Sequence, residues 1–193
     1  MNRWSDRLYA IVDAETSSDP EELARRALSV GCAALQLRAK TLDDQHLLAL
    51  AEQLNAACKQ ARVPFVVNDR PDIATLIGAD GLHLGQDDMR IAEAREIVGE
   101  IDIGVSTHNL RQALEADRDG ADRIAFGPVF ETTTKENPDP VVGLKNLEEV
   151  CRSVSCPVVA IGGITPENGA RVLDHGATQL AVISALPRFL VER

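Results

Sequence analysis

Polar and charged side chains recur where short apolar runs of this chain end. The run Ala33–Arg38 is followed almost at once by Lys40. Gln36, Arg38 and Lys40 are spaced by two, so they share one side of the chain while it remains extended. A cation buried at a strand end needs an anion. The alternatives for Arg38 and Lys40 are therefore an anionic substrate or an ion pair with a neighbouring carboxylate.

Carboxylates follow the next two apolar runs. Asn68 and Asp69 end one run, and Asp87 and Asp88 come shortly after the other. Carboxylates at the ends of adjacent strands repel one another unless a cation lies between them. The pattern predicts Mg²⁺, which takes one or two protein carboxylates, keeps several waters and binds substrate phosphates. The alternative is that Asp87 or Asp88 caps a helix starting near Ile91.

A serine and a histidine lie close together at the end of the run Ile103–Ser106. Ser106 and His108 could indicate a hydrolase, but the G-x-S-x-G elbow of such enzymes is absent and both residues sit on one strand end. We therefore interpret the Ser106 hydroxyl as a hydrogen-bond donor to a phosphate.

Three further loops indicate anion binding. The segment 127–140 holds Thr132, Thr134 and Lys135, and a connection of this length in a compact barrel is usually functional, although a solvated turn is the alternative. Gly163 and the pair 183–184 follow the last two apolar runs, where a close backbone approach suits a phosphate. The chain thus predicts two anion sites. One, with Arg38, Lys40, Lys135 and a metal, suits a diphosphate, and the other suits a monophosphate.

These residues need a scaffold, and the apolar runs recur at the period of β/α units. Nearly continuous hydrophobicity in each run is typical of parallel strands buried on both faces. We predict strands at Leu8–Asp13, Ala33–Arg38, Pro64–Asn68, Gly81–Leu84, Ile103–Ser106, Arg123–Phe126, Val158–Ile161 and Gln179–Ile183. Predicted helices between them include Pro20–Val30, Leu42–Gln60, Ile91–Val98, Leu110–Asp119 and Leu144–Val154. Asp19-Pro20 and Thr165-Pro166 are typical of helix starts, and helix C-terminal caps are predicted at Gly31, Gly78, Gly120 and Gly176.

The pattern predicts an α/β fold, a single (β/α)8 TIM barrel that spans residues 1–193 as one domain. An open doubly wound sheet is the alternative. Only residues 185–193 follow the eighth strand, so we expect the eighth helix to be short or missing. Either the chain is cut short there or a partner subunit covers that face, which would make the protein a homo-oligomer.

Composition restricts the partners. The 193 residues carry a net charge of −10 and are 45% hydrophobic and 3% aromatic. The acidic balance and the scarcity of aromatic rings argue against nucleic acid and anionic membranes as partners. The sequence shows no signal peptide and no apolar run long enough to span a bilayer. The four cysteines form no C-x-x-C pair and are interpreted as core residues in a reducing cytoplasm.

Taken together and in order, the motifs resemble those of thiamine phosphate synthases. The resemblance runs from Leu8 to Ser184 and rests on Gln36-Leu-Arg-Ala-Lys40, Asn68-Asp-Arg70, His83-Leu-Gly-Gln-Asp-Asp88, Gly104-Val-Ser-Thr-His108, Gly127-Pro-Val-Phe130, Thr132-Thr-Thr-Lys135 and Ile161-Gly-Gly-Ile164. The chain differs from the family at Ala39, where glutamate is more frequent, and at Arg123, where an aromatic residue is common.

The resemblance implies a TIM barrel that joins a hydroxymethylpyrimidine diphosphate to a thiazole phosphate. It implies that Asp69 and Asp88 hold Mg²⁺. Residues in contact with the pyrimidine diphosphate would be Gln36, Arg38, Lys40, Asn68, Ser106 and Lys135, and those at the thiazole phosphate would be Thr132, Thr134, Gly163, Ile183 and Ser184. Of these, Lys135, Arg38, Lys40 and Ser106 would assist the reaction directly.

Two other functions compete with this one. The related thiazole tautomerases share the barrel and the phosphate loop, but they place a catalytic histidine where this chain has Pro128. A non-catalytic barrel that binds a phosphorylated ligand is the other alternative, because fold alone does not imply catalysis. A phosphate sensor, however, has no need of a site for a metal and a diphosphate.

Overall fold

Eight parallel strands form a closed barrel in a computed structural model that describes residues 2–132 and 139–191. Each strand pairs with the next in sequence, and β8 pairs with β1. The strands are Leu8–Asp13 (β1), Ala34–Arg38 (β2), Phe65–Asn68 (β3), Gly81–Leu84 (β4), Asp102–Thr107 (β5), Arg123–Phe126 (β6), Val158–Ile161 (β7) and Gln179–Val182 (β8). The predicted (β/α)8 barrel is confirmed, and the open sheet is wrong.

Helices follow the strands on the outside of the barrel. They are Pro20–Ser29 (α1), Asp44–Ala61 (α2), Pro71–Ile77 (α3), Ile91–Val98 (α4), Leu110–Arg118 (α5), Gly143–Ser153 (α6), Gly169–Asp174 (α7) and Leu186–Phe189 (α8). Asp19 caps α1 as predicted, because its carboxylate accepts the Glu22 amide at 2.9 Å. All four glycines predicted at helix ends adopt positive φ, where other residues are strained.

The predicted helix start at Thr165-Pro166 is wrong. The backbone carbonyl of Thr165 accepts the amides of Asn168 and Gly169, so residues 165–168 form a turn and α7 begins at Gly169. The Asn168 side chain, which accepts the Thr165 amide at 2.8 Å, stabilises this turn.

The short eighth helix is confirmed, since α8 has four residues. The N-terminal segment packs against it. The Trp4 and Phe189 rings meet edge to face at 5.7 Å between centroids, and the Asn2 side chain donates to the Phe189 carbonyl at 2.6 Å. The N-terminal segment therefore covers part of α8.

The larger hydrophobic core lies between the barrel and the helices, and a smaller cluster lies inside the barrel. Small residues reduce the filling of that interior. Ala125 and Ala181 line a cavity that opens toward the carboxyl ends of the strands. Gly104 makes room for the His83 ring, because a Cβ there would lie only 2.9 Å from it. None of the described helices has the length and apolarity required to cross a membrane.

Candidate active site

A cavity of about 1070 Å³ opens at the carboxyl ends of the strands. This is the end of the barrel where active sites of this fold lie. Of the residues predicted for the site, those within the described part of the chain all line it, namely Gln36, Arg38, Lys40, Asn68, Asp69, Asp88, Ser106, Thr132, Gly163, Ile183 and Ser184. Thr134 and Lys135 lie outside the described residues. The structure therefore places the predicted side chains together, while their individual roles stay predictions.

Two carboxylates of the β1 end hold Arg38 at the rim. Its guanidinium contacts Asp13, which is almost fully buried, and Glu15, at 3.0 Å. Glu15 also accepts the backbone amides of Lys40 and Thr41. Arg38 thus forms the ion pair given as one of its two alternatives, and its paired guanidinium also faces the cavity. These contacts fix the loop that carries Lys40.

Lys40 and Asp69 join the ends of β2 and β3. The Lys40 Nζ lies 3.0 Å from Asp69 Oδ2. Asp69 has a positive φ of 62°, which few non-glycine residues adopt. Its amide donates to the His83 carbonyl at 2.8 Å, so the β3–β4 pairing extends to the residue that bears the carboxylate. The backbone therefore turns sharply and directs this group to the strand ends.

Asp69 and Asp88 form the pair of carboxylates that could hold a metal. Burial and the neighbouring Asp88 carboxyl raise the pKa of Asp69, and Lys40 offsets only part of this. A divalent cation would relieve the same repulsion, and two carboxylates with open positions fit the preference of Mg²⁺. Among the described residues no group of three or more His, Cys, Asp or Glu side chains gathers as a metal cage. This donor set fits a metal that completes its shell with water and substrate.

Asp88 does not cap α4. Its Oδ2 accepts the Gly85 amide at 2.6 Å, and the residue before α4 is Arg90, which makes no side-chain capping bond. The loop after β4 is thus tied to the carboxylate, and a side chain at Gly85 would meet Asp88 Oδ2 at 2.9 Å.

Ser106 has a different histidine partner from the one its sequence neighbours suggest. His83 Nε2 lies 2.8 Å from Ser106 Oγ, and the Gln86 side chain donates to the Ser106 carbonyl at 2.6 Å. His108 instead places Nδ1 2.6 Å from the Gly127 carbonyl, with Nε2 3.4 Å from Asp139. Adjacent strands bring His83 to Ser106, although the two residues are 23 positions apart in sequence.

At the deep end of the cavity lie Tyr9 and Arg123, which were not predicted for the site, beside the predicted Gln36. Gln36 Nε2 donates to the Tyr9 hydroxyl at 3.2 Å, and Arg123 lies beside Tyr9. Burial raises the pKa of Tyr9 to about 12, although the nearby Arg123 charge lowers it in part, so the phenol remains protonated. Tyr9 lies within an apolar run, as a core residue would. The signal that could have identified it as a cavity residue is that its side chain points into the barrel, as that of Gln36 does.

The loops after β6 and β7 meet on the far side of the cavity. The amides of Val129 and Phe130 donate to the carbonyls of Ile161 and Gly162 at 2.9 and 3.1 Å. Gly162 and Gly163 have φ of 97° and 62°, and a Cβ at Gly163 would lie 2.4 Å from the Glu131 carbonyl. Glycine is required here for both reasons. Glu131 is thereby held against Gly163, and its neighbour Thr132 lines the cavity together with this glycine.

The two halves of the cavity differ chemically. One half, at the ends of β2 to β4, presents two cations and the three carboxylates Asp69, Asp87 and Asp88, while the other, at β6 to β8, presents glycine backbone and hydroxyls together with Glu131 and Arg188. Such a cavity can hold one ligand with a metal-bound anion and a second ligand with a smaller anion side by side.

Comparison with known proteins agrees with this chemistry. The family model described as "Thiamine monophosphate synthase" matches residues 8–186. A thiamine-phosphate synthase of Methanocella arvoryzae is 47% identical over 182 residues, which cover 93% of this chain and 86% of that protein. One from Chloroflexus aurantiacus is 43% identical, covering 93% of this chain and 84% of that protein. The solved thiamine phosphate pyrophosphorylase of Pyrococcus furiosus superposes with a TM-score of 0.87 at 33% identity, covering 96% and 93% of the two chains.

Proposed function

Because the chain belongs to the thiamine monophosphate synthase family of enzymes, we propose that it transfers a hydroxymethylpyrimidine group from its diphosphate to a thiazole phosphate, in a reaction that depends on Mg²⁺. The products are thiamine monophosphate and diphosphate. The observation that carries the proposal is the shared cavity, in which cations and paired carboxylates face glycine-rich loops with hydroxyls.

Departure of the diphosphate is the first step we propose. The bond between the methylene carbon and the diphosphate oxygen breaks, and its electron pair leaves with the diphosphate. Arg38, Lys40 and Lys135 stabilise the charge that develops on the leaving group, and the Ser106 hydroxyl donates to it. Asp69 and Asp88 would hold Mg²⁺, which would supply further positive charge to the leaving group.

The pyrimidine cation that remains is stabilised by its own electron-rich ring. The nitrogen of the thiazole then donates its electron pair to the methylene carbon. No nucleophile or strong base from the protein is needed, so the residues contribute position and charge rather than bond formation. We propose that Gly163, Ile183, Ser184 and the threonines of the β6 loop hold the thiazole phosphate so that its nitrogen faces that carbon.

Exclusion of water matters because the cation would otherwise be hydrolysed. The described part of the β6 loop is held over the cavity by the backbone bonds to β7 and by the His108–Asp139 contact at 3.4 Å. These contacts support a role for this loop in covering the bound substrates.

A cytoplasmic location is part of the proposal. All four cysteines are free thiols, and burial raises the pKa of Cys32 and of Cys58 to about 12. Cys32 and Cys58 lie in the core as predicted, whereas Cys151 and Cys156 are only half-buried. Unpaired cysteines are typical of proteins from reducing compartments.

The test is a direct assay of the purified protein. The pyrimidine diphosphate and the thiazole phosphate are supplied together, with Mg²⁺ or with EDTA, and thiamine phosphate is followed by thiochrome fluorescence. Product with Mg²⁺ and none with EDTA is the expected result. Folded protein that makes no product would contradict the proposed reaction, and equal product with EDTA would contradict the role of the metal.

A further inference from the structure

Arg123 closes the deep end of the cavity. It opens β6 at the amino end of the barrel, and its side chain is only 20% exposed. The guanidinium donates to the Asp102 carboxylate on β5 and, at 3.3 Å, to the Gln179 amide oxygen on β8. Its Cζ lies 6.0 Å from the centre of the Tyr9 ring on β1. One side chain from β6 thus reaches three other strands across the barrel.

The absence of a side chain at Gly104 gives Arg123 this path. A Cβ at Gly104 would lie 3.0 Å from Arg123 Cγ and 2.9 Å from His83 Nδ1. The Arg123 stem and the His83 ring therefore occupy the space that a larger residue would fill. Both side chains line the cavity floor together with Tyr9 and Gln36.

The charge of Arg123 is compensated by Asp102 at the amino end of the barrel. Asp102 is 53% exposed at the amino rim of the barrel, whereas the Arg123 side chain it contacts is 20% exposed and lines the cavity. A guanidinium carries five N–H donors, more than the contacts with Asp102 and Gln179 use. Arg123 can therefore donate upward into the cavity while it remains paired.

The position of Arg123 separates it from the diphosphate site. Arg38 ends β2 at the mouth of the cavity, and Arg123 begins β6 at the other end. Strands rise about 3.3 Å per residue, so the length of β6 puts about 10 Å between Arg123 and the mouth. A group attached to a diphosphate at the mouth reaches Arg123 only by entering the barrel.

We infer that Arg123 is a specificity-determining residue that donates a hydrogen bond to the nitrogen heterocycle of the diphosphate substrate at the cavity floor. The inference rests on the proposed function. Ring nitrogens of a pyrimidine are acceptors, and a planar guanidinium fixed by Asp102 and Gln179 presents donors in a set direction. A positive charge at this place cannot assist a cation that develops on the same substrate. We therefore expect Arg123 to strengthen substrate binding and not to raise kcat.

The experiment compares Arg123→Met with the wild type by titration calorimetry, using the pyrimidine diphosphate and inorganic diphosphate separately. We expect Arg123→Met to raise the Kd of the pyrimidine diphosphate about ten-fold, the size of one lost charged hydrogen bond. The Kd of inorganic diphosphate should not change. In the product assay the KM for the pyrimidine diphosphate should rise in parallel while kcat does not fall.

Arg95→Met is the matched control. Arg95, in the outer helix α4, donates to Asp122 at 2.6 Å near the same end of the barrel, so its loss tests the structural effect of removing a paired arginine. We expect both Kd values to be unchanged in this variant. If Arg123→Met does not fold, Arg123→Lys is titrated in its place, and an intermediate rise confined to the pyrimidine diphosphate is expected.

Equal weakening of both ligands, or no weakening of either, would overturn the inference, since Arg123 would then only close the barrel. Wild-type protein that binds the pyrimidine diphosphate but forms no product would contradict the proposed function alone, because the comparison of Kd values would still decide the role of Arg123. Wild-type protein that binds neither ligand would overturn both.

Discussion

The Nζ of Lys40 at the end of β2 lies 3.0 Å from Oδ2 of Asp69 at the end of β3. One member of this pair is predicted to bind the diphosphate and the other the metal. Without ligands the two charges compensate each other across neighbouring strands. A metal on Asp69 would release Lys40 toward an incoming diphosphate. Metal binding and diphosphate binding are therefore expected to strengthen each other. The metal takes the place of Lys40 beside Asp69, and the diphosphate takes the place of Asp69 beside Lys40.

Asp69→Asn is expected to stabilise the ligand-free protein and to lower turnover. Burial and Asp88 raise the pKa of the Asp69 carboxyl, so its ionised form costs free energy of folding, increasingly as the pH rises through the raised pKa. An amide removes this cost, and asparagine also suits the φ of 62°. We expect a gain of about 1 kcal/mol near pH 7, measured as a higher Tm without metal. The gain should shrink as the pH falls toward the ordinary pKa of aspartate, below which the carboxyl is neutral in the folded and the unfolded chain alike.

Asp72→Asn is expected to have the opposite effect on stability. Arg70 lowers the pKa of Asp72, so the ionised form is the stabilising one above the ordinary pKa of aspartate, and its loss should lower the Tm slightly at neutral pH. A lower Tm for Asp69→Asn near pH 7 would show that the Lys40 pair outweighs the cost of burial.

Ser106→Ala is expected to lower kcat by about 10²-fold, the effect of losing one oriented donor to a developing charge. His83 at 2.8 Å orients the hydroxyl before the substrate arrives. Steady-state kinetics with both substrates measure the change. Ser153→Ala is the control, because that hydroxyl only donates to the Glu149 carbonyl at the end of the outer helix α6. Unchanged kcat in Ser106→Ala would remove the serine from the reaction.

Lys135→Ala and Asp69→Ala are each expected to lower turnover by roughly 10²–10³, as is typical for loss of one electrostatic stabiliser. Lys135 is assigned to the diphosphate as it leaves, and Asp69 to the Mg²⁺ that would bind it. The thiochrome assay gives the rates, and Lys145→Ala on the exposed face of α6 serves as the control for a lost lysine. Near-normal turnover in both site variants would contradict the proposed reaction.

Gly163→Ala is expected to weaken binding of the thiazole phosphate. The new Cβ would lie 2.4 Å from the Glu131 carbonyl, and the φ of 62° is strained for alanine. The loops after β6 and β7 must then separate. We expect the KM for the thiazole phosphate to rise at least ten-fold, the equivalent of about 1.4 kcal/mol, and the Kd of the pyrimidine diphosphate to stay the same.

Gly99→Ala separates the effect of backbone strain from the effect of the steric clash. Gly99 has a similar φ of 69°, but a Cβ there would meet nothing within 4 Å. This variant should lose stability by about 1 kcal/mol from backbone strain and keep both binding constants. A thiazole phosphate KM that responds equally in the two variants would show that the β7 loop does not hold this substrate.

The sequence by itself determined the scaffold and the residues at its mouth. Every predicted strand agrees with the structure to within one residue at each end, as Ala33–Arg38 does with Ala34–Arg38. The reason is local. Parallel strands that are buried on both faces need continuous apolar runs, and such runs can be recognised directly in the amino-acid sequence. Polar residues that directly follow the runs must then lie at the carboxyl end of the barrel.

Only the tertiary structure decided which of these side chains meet. Ser106 pairs with His83 and not with its sequence neighbour His108, because His83 lies on the adjacent strand β4, whereas His108 lies beyond the end of β5 and contacts the Gly127 carbonyl. Barrel closure likewise brings Arg123 of β6 beside Tyr9 of β1. Sequence shows the direction and polarity of each residue along its own strand, but contacts across a barrel depend on closure and on the space that residues such as Gly104 leave.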